Sequence, residues 1–198
     1  GLAFSLGLIL VIVGGAELFT GNNLLAMAWA SRRITLGSVA RNWGIVYAGN
    51  LVGAVGTAVL VVVAGQYRFG GDAVGATAMS TALTKVTYDP LAAFTLGILC
   101  NGLVCLAVWL TYSARTTTDR ILAIVPPIAA FVAMGFEHSV ANMYFIPVAM
   151  LIRAVAPPEF WVSIGHAPAD YAAVDFAGFV GNLVPVTLGN IVGGTVLV

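Results

Sequence analysis

Two long apolar stretches of this chain, residues 1–30 and 121–152, each carry a carboxylate near the middle: Glu17 in the first, Glu137 in the second, the latter followed by His138. An ionisable group within a run long enough to cross a bilayer is expensive and marks a functional site by default. Two runs interrupted in the same way point to discontinuous helices. Three further stretches, 42–67, 90–114 and 176–198, hold no charge and reach the roughly 20 residues that a spanning helix needs. Only 8% of the 198 residues are charged and 60% are hydrophobic, whereas soluble domains carry about 25% charged residues. So few charges do not cover a globular surface of this size. The chain therefore reads as an all-α, multi-pass membrane protein, and a formal net charge of +0 without a basic cluster excludes nucleic acid as a partner.

The two interruptions resemble each other. Gly15-Ala16-Glu17-Leu18-Phe19-Thr20-Gly21-Asn22 reads against Gly135-Phe136-Glu137-His138-Ser139-Val140-Ala141-Asn142, with Gly, Glu and Asn in register. Downstream, a Gly-Asn-Leu-Val string recurs at 49–52 and 181–184. This is an internal repeat, and matching breaks in two halves point to a transporter's binding site. One transmembrane domain over 1–198 is expected, with a first repeat over about 1–67, an outward loop over 68–89 and a second repeat over about 90–198. The second broken stretch follows an intact span, 90–114, that the first half lacks. An additional helix is therefore expected before Gly1, giving three spans per half and two halves inverted relative to each other. Arg32, Arg33 and Arg41 fall in one short loop and Arg115 and Arg120 in another, which places both loops in the cytoplasm.

Unwound backbone survives in a bilayer only where protein or a water-lined cavity satisfies its polar groups. Glu17 and Glu137 are expected to clamp the start of each second half-helix, where a carboxylate is favoured. Asn22 and Asn142 have two readings, as caps of the half-helices or as polar groups facing a pathway. His138 is read as functional, because an imidazole at a repeated break offers an N–H donor and changes charge near neutral pH. His166 is read as a surface residue beside Pro168. Cys100 and Cys105, five apart on a helix, are read as core residues rather than a disulfide or metal pair. Gly49 with Gly53, and Gly189 with Gly193, form small-xxx-small pairs suited to close helix packing.

These residues resemble the formate/nitrite transporter family. The resemblance rests on Glu17-Leu18-Phe19-Thr20-Gly21, Gly49-Asn50-Leu51-Val52-Gly53, Phe136-Glu137-His138-Ser139-Val140-Ala141-Asn142-Met143 and Gly189-Asn190-Ile191-Val192-Gly193-Gly194. The run from Cys100 to Trp109 and the loop over 32–43 add to it, and Phe145-Ile146-Pro147 with Pro158-Glu159-Phe160-Trp161 favours the formate-channel branch. The resemblance implies an aquaporin-like six-helix protomer, with two discontinuous transmembrane helices in inverted repeats. It further implies a homopentamer with one pore per protomer, in the plasma (inner) membrane of a prokaryote. It also implies roles for particular residues. Leu18, Phe19 and Thr20 would form an Ω-shaped loop. Phe4, Leu8, Leu18, Phe19 and Phe131 would be apolar constrictions. His138 would sit at the centre of the pore near Thr20, with Asn101 and Asn190 close by, and Lys85 would attract anions. The implied cargo is formate or another small monovalent anion such as nitrite, moved together with protons and without any metal or cofactor.

Three other functions compete with this one. A nitrite or hydrosulfide channel of the same family is the first alternative. A neutral-solute pore of the aquaporin kind would carry Asn-Pro-Ala at the half-helix tips, which here read Thr20-Gly21-Asn22 and Val140-Ala141-Asn142. An intramembrane hydrolase would need Ser139 or Ser163 paired with a histidine, but His138 and Ser139 point to different helix faces and no nucleophile elbow occurs. The chain is therefore read as a transporter and not as an enzyme.

Overall fold

The structure, a computed structural model, describes residues 1–198. It is all-helical: α1 (Leu2–Gly14), α2 (Leu25–Ala30), α3 (Leu36–Val63), α4 (Ala73–Val86), α5 (Pro90–Thr111), α6 (Thr117–Ala133), α7 (Ser139–Val155), α8 (Pro158–Ile164) and α9 (Phe176–Thr195), with 3-10 turns between several of them. The uninterrupted apolar runs become α3, α5 and α9. The helices long and apolar enough to cross a membrane are Leu36–Val63, Pro90–Thr111 and Pro168–Thr195, the last counted with its leading turn. Both expected breaks are present, between α1 and α2 and between α6 and α7.

The segment read as an outward loop, 68–89, holds a 14-residue helix, α4, and the segment 153–175 holds α8. Neither reaches bilayer length, so a search for runs of roughly 20 apolar residues passes over both. Asp72 stands before α4 in a left-handed conformation, φ 69°. It is held there by Arg68 Nε at 3.1 Å and by the Ser163 hydroxyl, which donates to its carboxylate at 2.5 Å.

Two compact units divide the chain. The first comprises Gly1–Asn50, Leu91–Ser139 and Pro185–Val198. In it α1 lies along α6, and Leu8, Leu24, Val104, Ile124, Ile128 and Phe131 form the core together with Cys100 and Cys105, which are not joined in a disulfide. Burying such side chains is worth roughly 1.5–3 kcal/mol each where water is the alternative. In lipid that drive disappears, and close packing takes over. The packing is visible where α9 meets α5: a methyl group on Gly189 would strike the Phe94 carbonyl, and one on Gly193 the Ile98 carbonyl. A methyl group on Gly49 or Gly53 would meet nothing within 4 Å in this chain.

The second unit comprises Leu51–Pro90 and Val140–Val184. Its core joins Met79, Ala82, Ile152, Phe160, Trp161 and Val174. The ring of Phe160 meets Tyr67 edge-on at 5.4 Å and closes so tightly on Gly75 that a Cβ there would lie 2.6 Å from it. Between α7 and α8 the chain turns by 119° at Ala156 and Pro157.

Candidate functional site

Each broken helix ends on a glycine in the left-handed region, Gly15 at φ 77° and Gly135 at φ 68°. That conformation is costly for residues with a Cβ and is the usual way to stop a helix. The Gly15 amide still reaches the Val11 carbonyl at 3.1 Å, and the Phe136 amide reaches the Phe131 carbonyl at 3.1 Å. Beyond these caps the backbone is unwound over 15–18 and 136–138. The peptide groups freed there need partners that lipid does not supply.

Asparagine side chains supply them. The Asn50 amide donates to the Glu17 carbonyl at 3.0 Å, while its Oδ1 accepts the Phe19 amide at 2.9 Å. Asn190 does the same at the second break: its amide donates to the Glu137 carbonyl at 2.9 Å, and its Oδ1 accepts the Ser139 amide at 2.9 Å. Each asparagine thus brackets one residue, Leu18 in the first break and His138 in the second. Asn190 also donates to the Gly97 carbonyl at 2.8 Å. Asn101 donates to the Thr20 carbonyl at 3.1 Å and to the Asn190 carbonyl at 2.7 Å, and Asn23 reaches the same Asn190 carbonyl at 3.1 Å. Asn23, Asn101 and Asn190 are fully buried.

The outer ends of the breaks are tied in the same manner. The Asn22 amide donates to Asn42 Oδ1 at 2.9 Å and to the Glu17 carboxylate. The Asn142 amide donates to Asn182 Oδ1 at 2.7 Å. The indole of Trp43 donates to the Asn22 carbonyl at 2.9 Å. Glu137 is buried beside its break, whereas Glu17 is exposed in this chain.

These bonds correct the register of the repeat. Glu17 and Asn22 correspond to Glu137 and Asn142, but their partners Asn42 and Asn50 correspond to Asn182 and Asn190. The counterpart of Gly49-Asn50 is therefore Gly189-Asn190, not the Gly181-Asn182 expected from the recurring string. The two long helices α3 and α9 carry the same pair of asparagines eight residues apart. The longer connection before α9, which contains α8, shifts this half of the repeat along the chain. Asn42, Asn50 and Asn182 were absent from the site expected from sequence. Their shared eight-residue spacing was the signal that could have revealed them.

At the heart of the first unit, His138 Nε2 and Thr20 Oγ1 share a hydrogen bond of 2.9 Å, whose direction follows the imidazole tautomer. Thr20 is fully buried and His138 is 6% exposed. The imidazole lies nearly parallel to the Phe131 ring, 6.0 Å between centroids, and edge-on to Phe4 at 6.4 Å; Phe4 and Phe131 themselves meet edge-on at 5.5 Å. Leu8 is buried and Leu18 half-buried in the same core. Phe19 packs edge-on against Tyr47 at 4.8 Å and Trp43 at 6.0 Å. Beside Gly21 and Asn22 an open cavity of about 450 Å³ is lined by Val11, Ile12, Leu24, Arg33 and Tyr112 among others.

The other residues singled out from the sequence lie elsewhere. Lys85 belongs to the second unit, in the last turn of α4, with its ammonium 5.7 Å from the Phe145 ring centre. His166 is exposed and sits 3.3 Å from Asp170. Ser139 keeps its hydroxyl buried without a hydrogen-bond partner, so the imidazole of His138 is matched to a threonine and not to a serine nucleophile.

Comparison with known proteins bears on the family and the fold. Residues 1–198 match the formate/nitrite transporter family. The chain is 48% identical to the formate channel FocA of Escherichia coli (strain K12), covering 100% of this chain and 70% of that protein. It is 46% identical to FocA of Haemophilus influenzae over the same shares. Among solved structures it is similar to a pentameric formate channel with formate bound, at a TM-score of 0.92 and 47% identity, over 98% of this chain and 76% of that one. An ion channel of the same family follows at a TM-score of 0.81 and 35% identity, over 98% of this chain and 71% of that one.

Proposed function

Because the chain belongs to the formate/nitrite transporter family, we propose that it passes formate and similar small monovalent anions across the inner membrane of a prokaryote, with a proton exchanged at His138. The observation that carries this reading is the 2.9 Å contact between His138 Nε2 and Thr20 Oγ1, enclosed by Phe4 and Phe131. The formate channels among its relatives favour formate as the cargo, and the pentameric neighbour favours a homopentamer with one pathway in each protomer.

The chemistry follows from the surroundings. A charge at the bilayer centre costs at least about 2.5–3.5 kcal/mol, so an anion meets a barrier at the apolar ring formed by Phe4, Leu8, Leu18, Phe19 and Phe131. Protonated His138 donates its ring proton to a formate oxygen, directly or through the Thr20 hydroxyl, leaving neutral imidazole and neutral formic acid. The acid crosses the phenylalanine and leucine side chains without charge and releases its proton to water beyond them. His138 recovers a proton from the side on which the formate entered, so one proton crosses with each formate, and the cycle runs in either direction. Asn101 and Asn190 hold the two breaks in place, and Lys85 draws anions toward the outer entrance.

Reconstitution into liposomes tests the assignment. Formate should enter faster than acetate or lactate, nitrite should follow formate, and glycerol should move no faster than in protein-free vesicles. Glycerol entry as fast as that of formate would assign the chain to neutral-solute pores instead.

A further inference from the structure

The two asparagine brackets are built alike but enclose different side chains. Asn50 joins the Glu17 carbonyl to the Phe19 amide, and the residue between is Leu18. Asn190 joins the Glu137 carbonyl to the Ser139 amide, and the residue between is His138. An asparagine side chain holds its NH2 donor and its carbonyl acceptor in one fixed plane, so binding both peptide groups that flank a residue fixes that residue's φ and ψ together. The one helix-type bond on Leu18, from the Asn22 amide to its carbonyl at 2.9 Å, holds only the peptide that follows it. The bracket therefore decides where the enclosed side chain points.

We propose that Asn50 is the specificity-determining positioning residue of this transporter: by bracketing Leu18 it fixes the size limit of the first break, while the equivalent bracket at Asn190 orients the proton-exchanging His138. This division of labour rests on the pathway proposed above. One break sieves by size with an apolar side chain, and the other handles charge with an imidazole. The same scaffold serves both because it acts only on the backbone and is indifferent to the side chain it presents. The surroundings of Leu18 agree with this role. Its neighbour Phe19 is pinned between Tyr47 and Trp43, and Trp43 also holds the Asn22 carbonyl. With those anchors in place, Asn50 supplies the constraint on Leu18 itself.

The experiment compares wild type with Asn50→Leu, which keeps the side-chain volume and removes both hydrogen bonds. Formate and lactate uptake are measured in proteoliposomes at several pH values. In Asn50→Leu the lactate-to-formate ratio should rise roughly tenfold, the equivalent of about 1.4 kcal/mol, and the pH profile of formate uptake should keep its wild-type shape. Asn50→Asp at pH 7.5 keeps the acceptor for the Phe19 amide but, being ionised, loses the donor to Glu17. It should shift the ratio in the same direction and serves if Asn50→Leu does not assemble. Hydrogen exchange at the Phe19 amide, which needs no transport, should be faster in Asn50→Leu. An unchanged ratio in an assembled variant overturns the proposal, as does a lost pH profile with the ratio intact, or unaltered exchange at Phe19. Wild-type protein that passes no formate removes the transport reading instead, and the amide exchange still judges the bracket.

Discussion

Replacing His138 with asparagine should lower formate uptake into proteoliposomes roughly hundredfold at the pH where wild type is fastest, and the remaining uptake should no longer vary between pH 5 and 8. The size of the effect follows from the barrier. A formate anion that crosses without a proton bears at least about 2.5–3.5 kcal/mol at the apolar ring, and each 1.36 kcal/mol is about a factor of ten in rate. Asparagine is chosen because its amide keeps a polar group at the break and has no proton to exchange, while ending short of the position that Nε2 holds 2.9 Å from Thr20 Oγ1. The polar character of the site is thereby kept and the titration is lost. A His138→Asn variant with wild-type uptake and a wild-type pH profile would remove the imidazole from the transport step.

Asn190→Leu should leave little or no folded protein. Asn190 is fully buried and holds the carbonyls of Gly97 and Glu137 and the amide of Ser139. Leucine keeps the volume but leaves the Glu137 carbonyl and the Ser139 amide without this partner in a place that water does not reach, while the Gly97 carbonyl, inside α5, keeps its helical bond. Each buried orphan costs about 1–3 kcal/mol, and two together reach the lower end of the 5–15 kcal/mol that stabilises a typical domain. Thermal unfolding in detergent, followed by size-exclusion chromatography, reads the result. Asn50→Leu should be much milder, since Asn50 is only half-buried and water can partly replace its amide. If Asn190→Leu were as stable as wild type, the second break would have to be held by something other than this bracket.

Much of the fold could be read before any coordinates. A carboxylate inside an apolar run, preceded by glycine and repeated in the second half, was enough to place both breaks, and Gly15 and Gly135 do adopt the left-handed turn that ends each helix. The uninterrupted runs became helices α3, α5 and α9. The short helices α4 and α8 escaped because a bilayer-length criterion is blind to them. The register of the repeat was misread because a literal string, Gly-Asn-Leu-Val, recurs at 181, whereas the equivalence that matters is which side chain reaches which break. That depends on contacts between residues 33 and 53 positions apart, Glu17 with Asn50 and Glu137 with Asn190.

The site divides in the same way. His138 stood out from the residues alone, as a polar group where lipid should have excluded one. Its partner Thr20, the struts Asn101 and Asn190 and the phenylalanines around it came from the family resemblance. The pairing of His138 with Thr20 spans 118 positions, and no periodicity connects them. Glu17 and Glu137 were expected to act alike, yet one is exposed in this chain and the other buried, because burial depends on neighbours that the repeat does not share. The glycine pairs diverge for the same reason: Gly189 and Gly193 press against α5, whereas a methyl group on Gly49 or Gly53 would meet nothing within 4 Å.

The most direct measurement sets a membrane potential and a pH gradient separately across the same proteoliposomes and follows where formate settles. Moving one charge through 100 mV is worth about 2.3 kcal/mol, so a lone anion would accumulate roughly fiftyfold on the positive side. If formate travels with a proton taken from His138, a potential of that size with no pH gradient should leave it evenly distributed. A gradient of one pH unit should concentrate it about tenfold on the alkaline side. Accumulation that follows the potential and ignores the pH gradient would contradict passage as the neutral acid.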